Sequence, residues 1–153
     1  MKEYNLQIKE RESYDVIVAG GGIAGVAAAV AAARGGAETL LIEKSVNLGG
    51  LATNGLISWY EPLCDGQGTQ MVNGIAEELI TLCAKYSFDN IPKHWGGSGH
   101  NPPRNKRYST FFSPTVFSAA LDEFVTGNGV RLRFDTLTTY PAMNGYICEG
   151  VIT

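Results

Sequence analysis

An α/β domain built on a parallel sheet is predicted for this chain, and three observations predict it. A short run rich in valine and isoleucine, Tyr14–Ala19, leads directly into the glycine pattern Gly20-x-Gly22-x-x-Gly25. The glycines open an alanine-rich stretch from Ile23 to Arg34. A second apolar run, Thr39–Ile42, follows and is closed by an acid, Glu43. Short apolar runs of this kind suit strands buried on both faces of a parallel sheet, and a helix is the connection such strands need.

Each part of this unit has a physical job. Gly20 permits a tight turn, Gly22 lets the backbone approach a pyrophosphate, and Gly25 lets the helix press close to the strand. The alanines favour a helix and give it the small cross-section that packing on a sheet requires. The helix N-terminus offers unpaired N–H groups at Gly22, Ile23 and Ala24, with the positive end of the helix dipole behind them. Gly35 and Gly36 suit the helix C-cap. A carboxylate placed as Glu43 is can accept hydrogen bonds from both ribose hydroxyls of an adenosine and repels a 2′-phosphate. The residues therefore predict a site for an unphosphorylated adenine dinucleotide.

The next segment distinguishes FAD from NAD. Lys44 and Ser45 are followed by Asn47-Leu48-Gly49-Gly50-Leu51-Ala52-Thr53-Asn54-Gly55. With this second glycine turn the chain resembles the glutathione-reductase-type FAD superfamily, with its Rossmann-like FAD/NAD(P)-binding domain. The resemblance is greatest to the FAD-dependent oxidoreductases, relatives of fumarate reductase and of thiazole-synthase-like flavoproteins. It implies FAD as cofactor, with a glycine pair shortly after the ribose-binding acid approaching the pyrophosphate and ribityl chain. Carried onto this sequence, the expected cofactor contacts are Gly20, Gly22, Ile23, Ala24, Gly25, Glu43, Lys44, Gly49, Gly50 and Thr53, with Thr138 beside the adenine. The expected activity is redox transfer through the flavin to a small-molecule substrate. The alternative is a dinucleotide-binding fragment, for FAD or NAD, without turnover of its own.

At 153 residues the chain is within the range of one domain and can bury a sizeable core. A hydrophobic share of 44% and a charged share of 18% are ordinary for a globular protein. The formal net charge of −3 argues against a nucleic-acid surface, which needs a basic stripe. Residues 1–13 form a polar arm lacking the apolar core of a signal peptide, and the alanine helix is too weakly hydrophobic to span a bilayer. The expected setting is thus cytoplasmic, with no membrane or nucleic-acid partner. Cys64, Cys83 and Cys148 form no Cys-x-x-Cys pair and show no metal-ligand spacing, so no metal and no redox dithiol are expected.

The rest of the chain, within one domain over 14–153, reads in order. Large side chains at Leu56, Ile57, Trp59, Tyr60 and Leu63 lie in an irregular segment beside the second glycine turn. They suit either a wall of the flavin pocket or packing under the sheet. Met71–Tyr86 shows helical apolar spacing, with Cys83 on the core stripe and Glu77 and Glu78 on a solvated face. An irregular insertion at about 87–112 carries His94, Trp95, His100, Arg104, Lys106 and Arg107. These suit a substrate lid or a loop of solvated charges. Ser113-Pro114 opens a helix ended by Gly127-Asn128-Gly129. Val130–Phe134 alternates as a third strand. Thr138–Tyr140 and Tyr146–Thr153 read as two strands of a β-meander joined around Pro141–Gly145. The resemblance covers residues 14–153 and the N-terminal part of the family's length. The family continues with further strands and a substrate domain, so the chain reads as apparently truncated. An exposed sheet edge would then favour a homo-oligomer.

Overall fold

The computed structural model describes residues 7–60, 63–65, 70–85 and 110–153, for Thr110 the backbone only. In chain order the elements are β1 (Val16–Ala19), α1 (Ile23–Arg34), β2 (Thr39–Ile42), a 3₁₀ turn (Gly50–Ala52) and β3 (Trp59–Tyr60). They continue with α2 (Ile75–Lys85), β4 (Thr110–Phe111), α3 (Pro114–Gly127), β5 (Arg131–Arg133), β6 (Tyr140–Asn144) and β7 (Ile147–Ile152). Three strands form the parallel sheet in the order β1-β2-β5. Val16 stands opposite Thr39 and Leu40 opposite Arg131. The central strand β2 is buried along its whole length, as its unbroken apolar run requires.

The core lies between this sheet and the helices. It joins Val26, Ala29 and Val30 of α1, Leu41 of β2, Leu79 and Cys83 of α2, and Phe117, Leu121 and Val125 of α3. Both crossover helices end in the same way. Gly36 and Gly129 are left-handed (φ 93° and 83°). Around each, the N–H of the following residue reaches back to the last turn, Ala37 to Ala32 O at 3.2 Å and Val130 to Val125 O at 3.3 Å. These are Schellman caps, and each turns its helix directly into the next strand. Arg34 at the end of α1 makes a two-pronged ion pair with Glu78 of α2, both bonds 2.7 Å, and donates Nε to Asn128 beyond α3. Glu78 lies on a solvated face, as the sequence suggests, and is ion-paired there with Arg34.

Other boundaries differ from the sequence reading for local reasons. α2 starts at Ile75, because Gly74 is left-handed (φ 69°) and the N–H groups of Met71 and Val72 turn to Leu63 O. Most of the insertion at about 87–112, with both histidines and its cationic cluster, lies outside the described residues. Its end is β4, where Phe111 pairs antiparallel with Trp59. Ser113 is the N-cap of α3, but its hydroxyl makes no capping bond. The terminal strands form one antiparallel hairpin, with Pro141 inside β6 opposite Val151 and the reversal at Gly145-Tyr146.

Candidate functional site

The site sits at the carboxyl end of the sheet, where the first glycine turn leaves β1. Gly20 adopts φ 103°, a conformation that L side chains rarely take, and donates its N–H to Ile42 O at 2.7 Å. A Cβ on Gly25 would stand 1.8 Å from the Gly20 carbonyl oxygen, so α1 can cross here only on a glycine. Gly22 is different. It is the N-cap of α1 with an extended backbone (φ −64°, ψ 173°), and a Cβ there would meet no protein atom within 4 Å. No side chain caps the helix, and a backbone bond runs from Val26 N–H to Gly22 O at 2.9 Å. The early N–H groups of such a helix have no partner within it and form an anion-binding end.

Glu43 is only 9% exposed, and both carboxylate oxygens are engaged. Oε2 accepts the Gly21 N–H at 2.6 Å and Oε1 accepts the Ser45 N–H at 2.8 Å. Burial alone would raise its pKa. The N–H groups of Ser45 and Gly21, helped by the Ser45 side chain and the charge of Lys44, outweigh it and hold the carboxyl below its ordinary value. Each oxygen keeps a second lone pair for another donor. The neighbouring Lys44 is exposed.

The second glycine turn is stitched to the first. Gly49 N–H donates to Gly21 O at 2.8 Å, and Gly22 and Gly49 form a parallel bridge. Gly49 and Gly50 are both left-handed (φ 99° and 55°). A Cβ on Gly50 would lie 3.2 Å from Gly22 Cα, so the close approach and the left-handed backbone both favour glycine at position 50. Thr53 is 5% exposed and donates its hydroxyl to Leu48 O. Leu51, by contrast, is 72% exposed. Behind the turn, on the α3 side, a cleft of about 430 Å³ is lined by Asn47, Thr53, Asn54, Ser118 and Asp122.

A third segment reaches the same corner. The N–H groups of Asp135 and Thr136 donate to Ser45 O and Glu43 O, each at 3.1 Å, which brings the chain after β5 beside the acid. Thr138 follows, and its buried hydroxyl oxygen has no hydrogen-bond partner. The structure thus gathers Gly20, Gly22, Ile23, Ala24, Gly25, Glu43, Gly49 and Gly50 at one edge, with Thr53 behind them.

Residues outside the expected set also build the corner. A Cβ on Gly21 would stand 2.5 Å from Leu48 Cδ2 and 3.1 Å from Glu43 Cβ. The run of three consecutive glycines was the available signal for Gly21. Ser45, whose hydroxyl donates to Asn47 O at 2.8 Å, carried none. Among the described residues no group of three or more His, Cys, Asp or Glu could hold a metal ion, and no helix is long and apolar enough to cross a membrane. Burial pushes the Cys83 thiol up to about 12, so it stays protonated.

Residues 15–153 match the family described as FAD dependent oxidoreductase. The chain belongs to that family. Its cofactor is FAD. Over 84 residues the chain is 37% identical to the vinyl phenol reductase of Lactiplantibacillus plantarum, covering 54% of this chain and 16% of that protein. It is 31% identical, again over 84 residues, to the thioredoxin reductase of Bacillus subtilis, covering 55% of this chain and 27% of that protein. Among solved structures, the THI4 protein of Thermovibrio ammonificans superposes with a TM-score of 0.55 at 14% identity, over 90% of this chain and 45% of that one. A geranylgeranyl bacteriochlorophyll reductase-like protein from Thermoplasma acidophilum gives 0.52 at 18% identity, over 90% and 34%. These two likenesses are of fold. The chain spans about a quarter or less of the curated relatives' length and less than half of either solved structure.

Proposed function

We propose that this chain forms the FAD-binding part of a flavin-dependent oxidoreductase, with the flavin's pyrophosphate held between its two glycine turns. The reading rests on one observation: the turns are bonded together beside a buried, ionised acid, and the space a Gly22 side chain would fill is left open. The N–H groups of Gly22, Ile23 and Ala24 meet the pyrophosphate. Glu43 takes the adenosine ribose hydroxyls on its remaining lone pairs, with Lys44 at the rim. Gly49 and Gly50 let the second turn approach the pyrophosphate and ribityl chain, and the backbone at Thr138 lies along the adenine. Bound FAD supplies hydride and electron transfer, while the protein binds, orients and tunes it. The activity of the whole protein is then redox transfer to a small-molecule substrate.

The test is uptake of FAD by the purified chain, followed by its visible absorption, with Glu43→Gln alongside. The amide removes the charge and one of the two acceptor oxygens, and loss of charge-assisted ribose bonds should weaken FAD roughly 10- to 100-fold. Wild-type chain that retains no flavin at roughly 50 μM FAD while binding NAD would overturn the reading.

A further inference from the structure

The resemblance places Thr53 along the ribityl chain as a cofactor contact, but the geometry gives its side chain other work. The hydroxyl donates to Leu48 O, the main-chain N–H donates to Gly50 O at 3.2 Å, and the residue is 5% exposed. Its methyl carbon lies 2.5 Å from where a Gly49 Cβ would be, so the side chain packs directly against that glycine. The Leu48–Gly49 peptide is held at both ends. Its carbonyl accepts from Thr53, and its N–H donates to Gly21 O at 2.8 Å.

Two consecutive left-handed glycines have little intrinsic preference for one shape, because glycine visits many conformations at similar cost. Something outside the pair must select the one observed. Leu48 is fully buried, so no water competes for its carbonyl, and Thr53 is the side chain bonded to it.

We propose that Thr53 is a positioning residue: it does not touch the cofactor but locks the Leu48–Gly49 peptide, and so keeps Gly50 against Gly22 in the shape that receives FAD. This inference rests on the proposed FAD site.

Thr53→Val keeps the shape and removes only the hydroxyl, whereas Thr53→Ser keeps the hydroxyl. FAD affinity is measured by titration at a temperature where wild type and both variants are fully folded, and amide exchange at Gly49 is followed in the cofactor-free chain. The valine variant should bind FAD about tenfold more weakly and exchange the Gly49 amide faster, with the serine variant within about threefold of wild type. A residue that merely filled space would be replaced by valine without change in either readout. Valine binding FAD within about twofold of wild type, with unaltered Gly49 exchange, overturns the proposal. If the valine variant does not fold, serine and alanine variants of equal affinity overturn it. Wild-type chain that takes up no FAD refutes the underlying reading and this inference with it, before any variant is made.

Discussion

The two glycine turns that meet at the sheet edge are held in place by different means. The first is fixed by crowding. Gly25 has no room for a side chain, since a Cβ there would strike the Gly20 carbonyl oxygen, and one at Gly21 would press on the buried Leu48 side chain. The second is crowded as well, by the Thr53 side chain at Gly49, and it is held further by hydrogen bonds, from Thr53 to Leu48 and from Gly49 to Gly21. A turn shaped by crowding carries its instructions in the spacing of its glycines. A turn also held by a side-chain hydroxyl does not show that bond in its spacing, and this difference decides both what mutations should do and what the sequence can reveal.

Within the first turn, Gly25 and Gly22 lack side chains for opposite reasons. Gly25→Ala should have the largest effect of any substitution in the two turns. A carbon 1.8 Å from a carbonyl oxygen forces α1 off β1, at a cost at or above the roughly 3 kcal/mol of severe overpacking. A domain with a typical stability of about 5–15 kcal/mol would be left marginal or unfolded, as urea denaturation will show. Gly22→Ala meets nothing within 4 Å and keeps an ordinary φ of −64°. Its cofactor-free stability should match wild type or exceed it by up to about 1 kcal/mol, while FAD binding falls by about two orders of magnitude or more. Equal losses of stability in the two variants would erase the distinction drawn between them.

The same difference explains which parts of the structure were legible. β2, α1 and α3 have the bounds that the apolar runs, Gly-Gly and Ser-Pro signals indicate. In each case the local chemistry and the tertiary packing ask for the same thing. α2 began later than its periodicity implied, because apolar Met71 and Val72 fit the helical stripe while left-handed Gly74 stops it. Pro141 read as a turn, yet it lies within β6 of an isolated two-stranded hairpin, where every strand is an edge and a missing N–H is tolerated. At the site, the glycines and Glu43 stood out by spacing. The Arg34–Glu78 pair joins residues far along the chain, and the inward bond of Thr53 to Leu48, though only five residues long, follows no periodic pattern that the sequence displays.

The smallest predicted effect concerns two acids on opposite sides of the second turn. Glu43 is buried with an N–H on each oxygen, and its pKa is lowered. Asp122 on α3 is partly buried, its Oδ1 has no hydrogen-bond partner, and burial raises its pKa. The stabilising contribution of Glu43 is therefore present above its unfolded pKa and lost as the pH falls through its lower folded value. Asp122 has the opposite sign: its neutral form is favoured in the fold, so its contribution is present below its unfolded pKa and lost as the pH rises through the folded one. Urea midpoints of the cofactor-free chain from about pH 7 to about pH 3 should accordingly move in opposite directions for Glu43→Gln and Asp122→Asn. The glutamine variant should be less stable than wild type at neutral pH, with the gap closing in acid. The asparagine variant should equal or slightly exceed wild type at neutral pH, and that advantage should also fade in acid. Parallel curves for wild type and Glu43→Gln would mean that the acid is not held ionised by Gly21 and Ser45, and that the corner is not prepared for ribose before the cofactor arrives.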